Sequence, residues 1–202
     1  MKGATKLKIL LLSPRPDSLI QALSSESVDF SNDDLQPDLL ATKNYDFAIS
    51  FGYRYLIPQE CIEILQGNIL NIHISLLPWN KGSDPNIWSW LENTPKGVSI
   101  HWVTDQPDAG DIAIQKAIAL DENDTLHKTY EILQTEAAGL FNKLWNDIGI
   151  TNAKRSQQSG MGSIHKKSDL KKHQKVLTNG YDTQCIVLKN YGRENNLWLD
   201  SD

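Results

Sequence analysis

The sequence predicts an α/β chain organised around a mostly parallel sheet. Short apolar runs of strand length recur from residue 8 onward, segments with helix-start and helix-stop signals separate them, and a clear helical stripe fills residues 124–148. Lys8–Ser13 reads as a buried strand ended by a proline turn, and Asp17–Ser25 as a short helix. Residues 24–37, rich in Ser, Asp and Asn, read as loop. Asp46–Phe51 is a second strand, stopped by Gly52. Pro58 suits the first turn of a helix running to about Leu65, and Gly67 stops it. Asn68–Ile74 is a third strand and Pro85–Leu91 a helix.

Val98–Val103 alternates, with Val98, Ile100 and Trp102 on one face. Ile112–Leu120 follows after the tight connection Asp105–Gly110, which suits an antiparallel pair. Leu126, Tyr130, Leu133, Ala137, Leu140 and Leu144 then mark one stripe of a long helix, ended by Gly149. Over 151–165 the composition shifts to Ser, Gln, Gly and Lys. The boundary is therefore placed there: a main domain over 1–150 and a short tail over 151–202 with one strand, Thr183–Leu188.

At 202 residues and 40% hydrophobic content the chain can bury one sizeable core. Its formal net charge of −5 argues against a dedicated nucleic-acid binder. Cys61 and Cys185 form no metal-spaced pair and suggest no disulfide scaffold. The apolar run near Leu10 is too short for a secretory signal, and no stretch has transmembrane length, so the expected location is cytoplasmic. Within 154–175, seven Lys or Arg face one acid, Asp169. Such a run is ordinarily a solvated surface; the sharper alternative is an anion-facing, substrate-side or subunit-facing element, as in a homodimer.

Chemistry concentrates in Asn71-Ile72-His73-Ile74-Ser75-Leu76-Leu77-Pro78. On a strand, Asn71, His73 and Ser75 share one face and Ile72 and Ile74 the other. A polar triplet near the C-terminal end of a strand lies where open α/β sheets receive ligands. Lys81-Gly82 follows, and about thirty residues on comes Thr104-Asp105-Gln106-Pro107-Asp108-Ala109-Gly110-Asp111-Ile112. A single histidine on a strand is ordinarily a hydrogen-bonded packing residue, and Asp108 alone could be a turn residue. The spacing of His73 to Asn71, and of Asp108 to Asp105, favours function for both.

The pattern Asn-x-His-x-Ser-x-x-Pro, a following Gly, then Thr-Asp-x-x-Asp-x-Gly-x-Ile resembles the folate-dependent formyltransferases, over roughly residues 45–145. That family includes glycinamide ribonucleotide, methionyl-tRNA and sugar N-formyltransferases. The resemblance implies a doubly wound sheet, 10-formyltetrahydrofolate as co-substrate, no metal, and a catalytic set falling on Asn71, His73 and Asp108. An amide such as Asn71 can stabilise the oxyanion of a tetrahedral centre. His73 can donate to the same oxygen or shuttle a proton. Asp108 can hold the imidazole or accept the amine's proton.

The resemblance also implies that the folate ring is held by Tyr53, Tyr55, Leu56 and Ile57 and by Val103, Thr104, Asp105 and Gln106, largely through backbone groups. Ser75, Trp79, Lys81, Gly82 and His101 are the implied substrate contacts, with His101 divided between that role and packing and Trp79 read first as a packing residue. One helix–strand unit of the family is expected to be trimmed between residues 20 and 44.

Two departures bear on the acceptor amine. Ser13-Pro14-Arg15-Pro16-Asp17 lacks the glycines of the phosphate loop of glycinamide ribonucleotide formyltransferases. The roughly fifty residues after the main helix are too few for the barrel of methionyl-tRNA formyltransferases. Leu77–Gly82 and Pro85–Ser89 resemble stretches of the sugar N-formyltransferases, which act on nucleotide-linked amino sugars for cell-surface polysaccharides. The expected acceptor is such a sugar nucleotide, with no membrane or nucleic-acid partner. A small amino-acid-derived amine, a non-catalytic folate or sugar binder and a formate-releasing hydrolase stay open.

Overall fold

A computed structural model of the chain describes residues 6–199. Its central feature is a six-stranded sheet formed by β1 (Lys8–Leu12), β2 (Ser27–Ser31), β3 (Phe47–Phe51), β4 (Ile69–His73), β6 (Gly97–Trp102) and β7 (Ile112–Ala117), in the order β2-β1-β3-β4-β6-β7. A second ribbon pairs β5 (Lys81–Gly82) with β8 (Ile164–His165) in parallel. β1 pairs in parallel with both β2 and β3, and β3 in parallel with β4. β7 returns antiparallel to β6, since Trp102 N–H donates to Asp111 O and Ile118 N–H to Lys96 O, each at 2.9 Å. The sheet is the mostly parallel, doubly wound arrangement expected.

The helices are α1 (Asp17–Ile20), α2 (Pro37–Lys43), α3 (Gln59–Ile64), α4 (Pro85–Leu91), α5 (Leu126–Asn142) and α6 (Cys185–Glu194). α5 continues as a π-helical turn over Lys143–Gly149, where Gly149 leaves the helix at φ 81°. Pro37 and Pro85 occupy the first turns of α2 and α4, where a missing N–H costs no helical bond. Among the described residues no helix is long and apolar enough to cross a membrane.

Three local expectations are corrected. Residues 24–37 hold the edge strand β2, whose Ser27-Val28-Asp29-Phe30-Ser31 is mostly exposed and carries no apolar alternation. Between residues 20 and 44, where a unit is expected to be trimmed, the chain holds β2 and α2. The helix from Asp17 ends at Ile20 and passes into turns rather than reaching Ser25. Thr183–Leu188 is no strand: Gln184 makes one isolated antiparallel bridge to Thr125, and α6 begins at Cys185. Cys185, Leu188 and Gly192 are buried at helical spacing, while the β-branched Ile186 and Val187 that suggest a strand lie off that stripe.

The described residues fold into two compact units interleaved in sequence: residues 6–73, 100–114 and 138–157 belong to the first; 74–99, 115–137 and 158–199 to the second. The first has a core of Leu10, Leu12, Leu40, Ala48, Cys61, Leu65 and Ile69, with Phe47 edge-on to Trp102 and Trp145. β3 is buried at all five positions, as expected of a parallel strand covered on both faces. The second gathers Ile87, Trp88, Trp90 and Leu91 of α4 against Leu126, Val176, Cys185 and Leu188.

Candidate active site

β4 carries Asn71 and His73 on one face, and Ile72 between them is buried on the other. His101 lies on β6, alternate to Ile100 and Trp102. Asp108 comes from the turn after β6 and has a left-handed backbone, φ 50°, which a short polar side chain tolerates better than a bulky one. Gly110 makes this turn possible. A Cβ there would stand 1.8 Å from Trp102 O, so only glycine lets the chain close back on the end of β6.

These four side chains converge. Asn71 Nδ2 donates to Asp108 Oδ1 at 2.9 Å. His101 Nε2 lies 3.1 Å from both Asp108 Oδ1 and Asn71 Nδ2. His73 Nδ1 stands 3.6 Å from Asp108 Oδ2, within ion-pair range and beyond an ordinary hydrogen bond. His101 Nδ1 is 2.9 Å from Trp102 O, and a carbonyl only accepts, so that nitrogen carries a proton. With Nε2 protonated as well, the imidazolium donates to the Asp108 carboxylate. With Nε2 bare, it accepts the second amide proton of Asn71. The side chains of His101, His73 and Asp108 are only 2%, 8% and 12% exposed, so charge–charge interactions among them act in a weakly screened environment.

The residues expected around the folate ring are both packed and open. Tyr53 donates from its hydroxyl to Asp33 O at 2.7 Å, accepts from Leu35 N–H at 2.9 Å, and packs with Ile57 and Val103 against the first core. Tyr55 and Leu56 are exposed, Leu56 by 75%. Thr104, Asp105 and Gln106 are exposed, with Thr104 Oγ1 donating to Gln106 O at 3.2 Å and Gln106 Nε2 to Asp105 Oδ2 at 3.3 Å.

Of the expected substrate contacts, Ser75 is buried and donates to Trp79 O at 2.7 Å; Trp79 is buried too. Lys81 and Gly82 are half-buried on β5. His101 belongs to the Asn71–Asp108 group. The signal for this is present in the sequence: Ser99 and His101 alternate with apolar Val98, Ile100 and Trp102, giving β6 a polar face like that of β4.

The sequence reading missed a second polar group, within the other unit. Asn80 Nδ2 donates to Glu92 Oε2 at 3.1 Å, Ser163 Oγ donates to the same oxygen at 2.8 Å, and His165 Nε2 stands 2.9 Å from Glu92 Oε1. These residues are 83 positions apart from Asn80 to Ser163, and no local pattern links them. Among the described residues no group of three or more His, Cys, Asp or Glu is disposed to hold a metal ion.

The family described as Formyl transferase matches residues 13–144. The methionyl-tRNA formyltransferase of Finegoldia magna is 33% identical over 141 residues, covering 67% of this chain and 46% of that protein, so the chain spans about half the length of this curated relative. The formyltransferase PseJ from Anoxybacillus kamchatkensis, crystallised with UDP-4,6-dideoxy-4-formamido-L-AltNAc and tetrahydrofolate, is 41% identical; it aligns with 92% of this chain and 99% of its own at a TM-score of 0.86. A 4-N formyltransferase from Francisella tularensis is similar in fold, with 21% identity, a TM-score of 0.73 and coverage of 82% and 78%. The sheet order, the motif-bearing strands and a family match across more than half of its length place this chain in the formyl transferase family.

Proposed function

We propose that the protein transfers a formyl group from 10-formyltetrahydrofolate to the primary amine of a nucleotide-linked amino sugar. The observation that carries this is the convergence of Asn71, His73, His101 and Asp108 at the end of β4. The likeness to PseJ supports the choice of acceptor, since that enzyme was crystallised in complex with a UDP-sugar bearing a 4-formamido group and with tetrahydrofolate.

The co-substrate supplies an activated formyl carbon attached to a ring-side nitrogen. The Asn71 amide donates to the formyl oxygen as it gains negative charge, and Asp108 orients that amide through their 2.9 Å bond. Protonation of His101 Nε2 would release the second Asn71 N–H for this purpose, because Nε2 then donates to Asp108 instead of accepting from Asn71. The amine nitrogen bonds to the formyl carbon and loses one proton, while the bond from that carbon to the folate nitrogen breaks and that nitrogen regains a proton. His73, beside Asp108 Oδ2, is the shuttle for this exchange.

Tyr53, Tyr55, Leu56 and Ile57, with the backbone of Val103–Asp108, are assigned to the folate ring; the exposed aromatic and aliphatic pair Tyr55 and Leu56 fits a flat heterocycle. Ser75, Trp79, Lys81 and Gly82 are assigned to the acceptor side. For Ser75 and Trp79, buried and bonded to one another, this means shaping the segment rather than presenting free groups.

The test is to mix the protein with 10-formyltetrahydrofolate and a panel of UDP- and dTDP-linked amino sugars and to follow tetrahydrofolate release. Release that depends on an amino sugar supports the proposal. Release without any acceptor points to a hydrolase, and folate binding without release points to a binder.

A further inference from the structure

Segment 78–83 is held from one side by its own neighbours. Ser75 donates to Trp79 O, Ser99 Oγ donates to Ser75 O at 2.8 Å and accepts from Leu77 N–H at 3.1 Å, and Gln115 Nε2 donates to Leu77 O at 3.0 Å. From the other side it is held by residues 162–165. Asn80 N–H donates to Ser163 Oγ at 3.0 Å, Lys81 N–H to Ser163 O at 2.9 Å and Ser83 N–H to His165 O at 2.9 Å. Three backbone donors within four residues are thus satisfied by one distant stretch of chain. Gly162 shows how close the two run: a Cβ there would meet Pro78 O at 2.4 Å and Pro78 Cβ at 2.8 Å.

Beneath this contact lies a buried lock. Asn80 is fully buried with a left-handed backbone, φ 54°, a conformation that asparagine, like Asp108, tolerates better than bulkier residues. Its amide donates to Glu92 and its carbonyl oxygen accepts from Thr94 Oγ1 at 2.8 Å. Glu92 takes Ser163 and Asn80 on Oε2 and faces His165 with Oε1. The His165 ring is fixed flat against Trp88, centroids 3.7 Å apart and planes within 4°. Each partner of the Glu92 carboxylate therefore comes either from segment 78–83 or from the stretch that covers it.

We infer that Ser163, His165 and Glu92 are positioning residues for the acceptor: the C-terminal stretch sets the shape of segment 78–83, and through it the fit of the amino sugar. This rests on the assignment of Trp79–Gly82 to the acceptor side made above. The lock spends its buried carboxylate on internal donors, so its role is to hold backbone and not to react.

The experiment compares wild type with Ser163→Ala and with Gly162→Ala, the latter disturbing the contact without removing a polar group. Hydrogen exchange is measured at the amides of Asn80, Lys81 and Ser83, alongside kinetics with 10-formyltetrahydrofolate and a UDP-linked 4-amino sugar. Expected in both variants are faster exchange at these amides and an acceptor KM raised on the order of tenfold, with the folate KM unmoved. Unchanged exchange overturns the lock. Faster exchange with a raised folate KM, or with a lowered kcat at unchanged acceptor KM, overturns the acceptor role. If wild type turns over no acceptor, the formyl-transfer reading falls and takes the acceptor role with it, whereas failure in the variants alone leaves that reading standing.

Discussion

The chain holds two groupings of nearly the same composition. Asn71, His101 and Asp108 form one; Asn80, His165 and Glu92 form the other. Both bury a carboxylate that takes an asparagine N–H and lies about 3 Å from a histidine, and both include a left-handed non-glycine residue, Asp108 or Asn80. They differ in what remains. Asp108 has a second histidine, His73, at 3.6 Å, and it stands on a turn next to exposed residues 104–106. Glu92 has Ser163 as its additional partner, and its group ties two distant chain segments together. Residue types alone do not separate the cluster proposed for catalysis from the one proposed as a structural lock. The division lies in whether the donors serve the fold entirely or leave one element aimed at an open edge.

The sharpest way to break this comparison is Asn71→Ala. Loss of a preorganised oxyanion donor should lower kcat by about 10²-fold or more while thermal stability holds. Near wild-type turnover would remove Asn71 from the chemistry. Next in size is Glu92→Ala. It strips partners from Asn80, Ser163 and His165 at once, and leaving buried polar groups unsatisfied costs about 2 kcal/mol. Urea unfolding should show that loss; an unchanged midpoint would mean the lock is not structural.

The smallest effect tests a buried amine of the second unit that bonds next to the Glu92 group, since Thr94, one of its acceptors, also donates to Asn80. Lys96 donates to Ser89 O and Thr94 O at 2.8 and 2.7 Å, and burial, aided by Lys189, pushes its pKa down to about 8. Below that pH the amine is charged folded and unfolded, and the burial cost opposes folding in full. From about pH 8 upward the unfolded chain holds a proton that the folded chain has lost, so stability gains with pH. Relative to Lys96→Met, the wild type should therefore become more stable between pH 7.5 and 9. Above that, the Cys185 thiol, pushed up to about 11 chiefly by its burial, works in the opposite direction. A flat difference between the two proteins across this window would refute the assignment to Lys96.

Much of the first grouping is legible in the sequence because its members share a period. Asn71 and His73 alternate on one strand, and Asp108 sits in a turn whose proline and glycine advertise it. His101 is harder, since Asn71 lies on another strand and Asp108 in a turn, and only the fold brings the three together. The lock is illegible for the same reason in stronger form, since Glu92 ends a helix whose pattern is set by Trp88 and Leu91, and nothing local marks Ser163 or His165. The strand at Ser27–Ser31 escapes because an edge strand has little apolar surface to show, and the helix at Cys185 because β-branched residues on its exposed side mimic a strand.

That edge strand has a consequence for how the protein lives in a crowded solution. An outermost strand offers a row of backbone donors and acceptors to any passing chain. Here the row is five residues long and carries two serines and Asp29, which accepts the Tyr45 hydroxyl at 2.8 Å. The charge and shortness that make this stretch read as loop also make it a poor template for a neighbouring copy. Replacing its polar residues with valine would make the strand easy to recognise and would expose a surface on which molecules could stack.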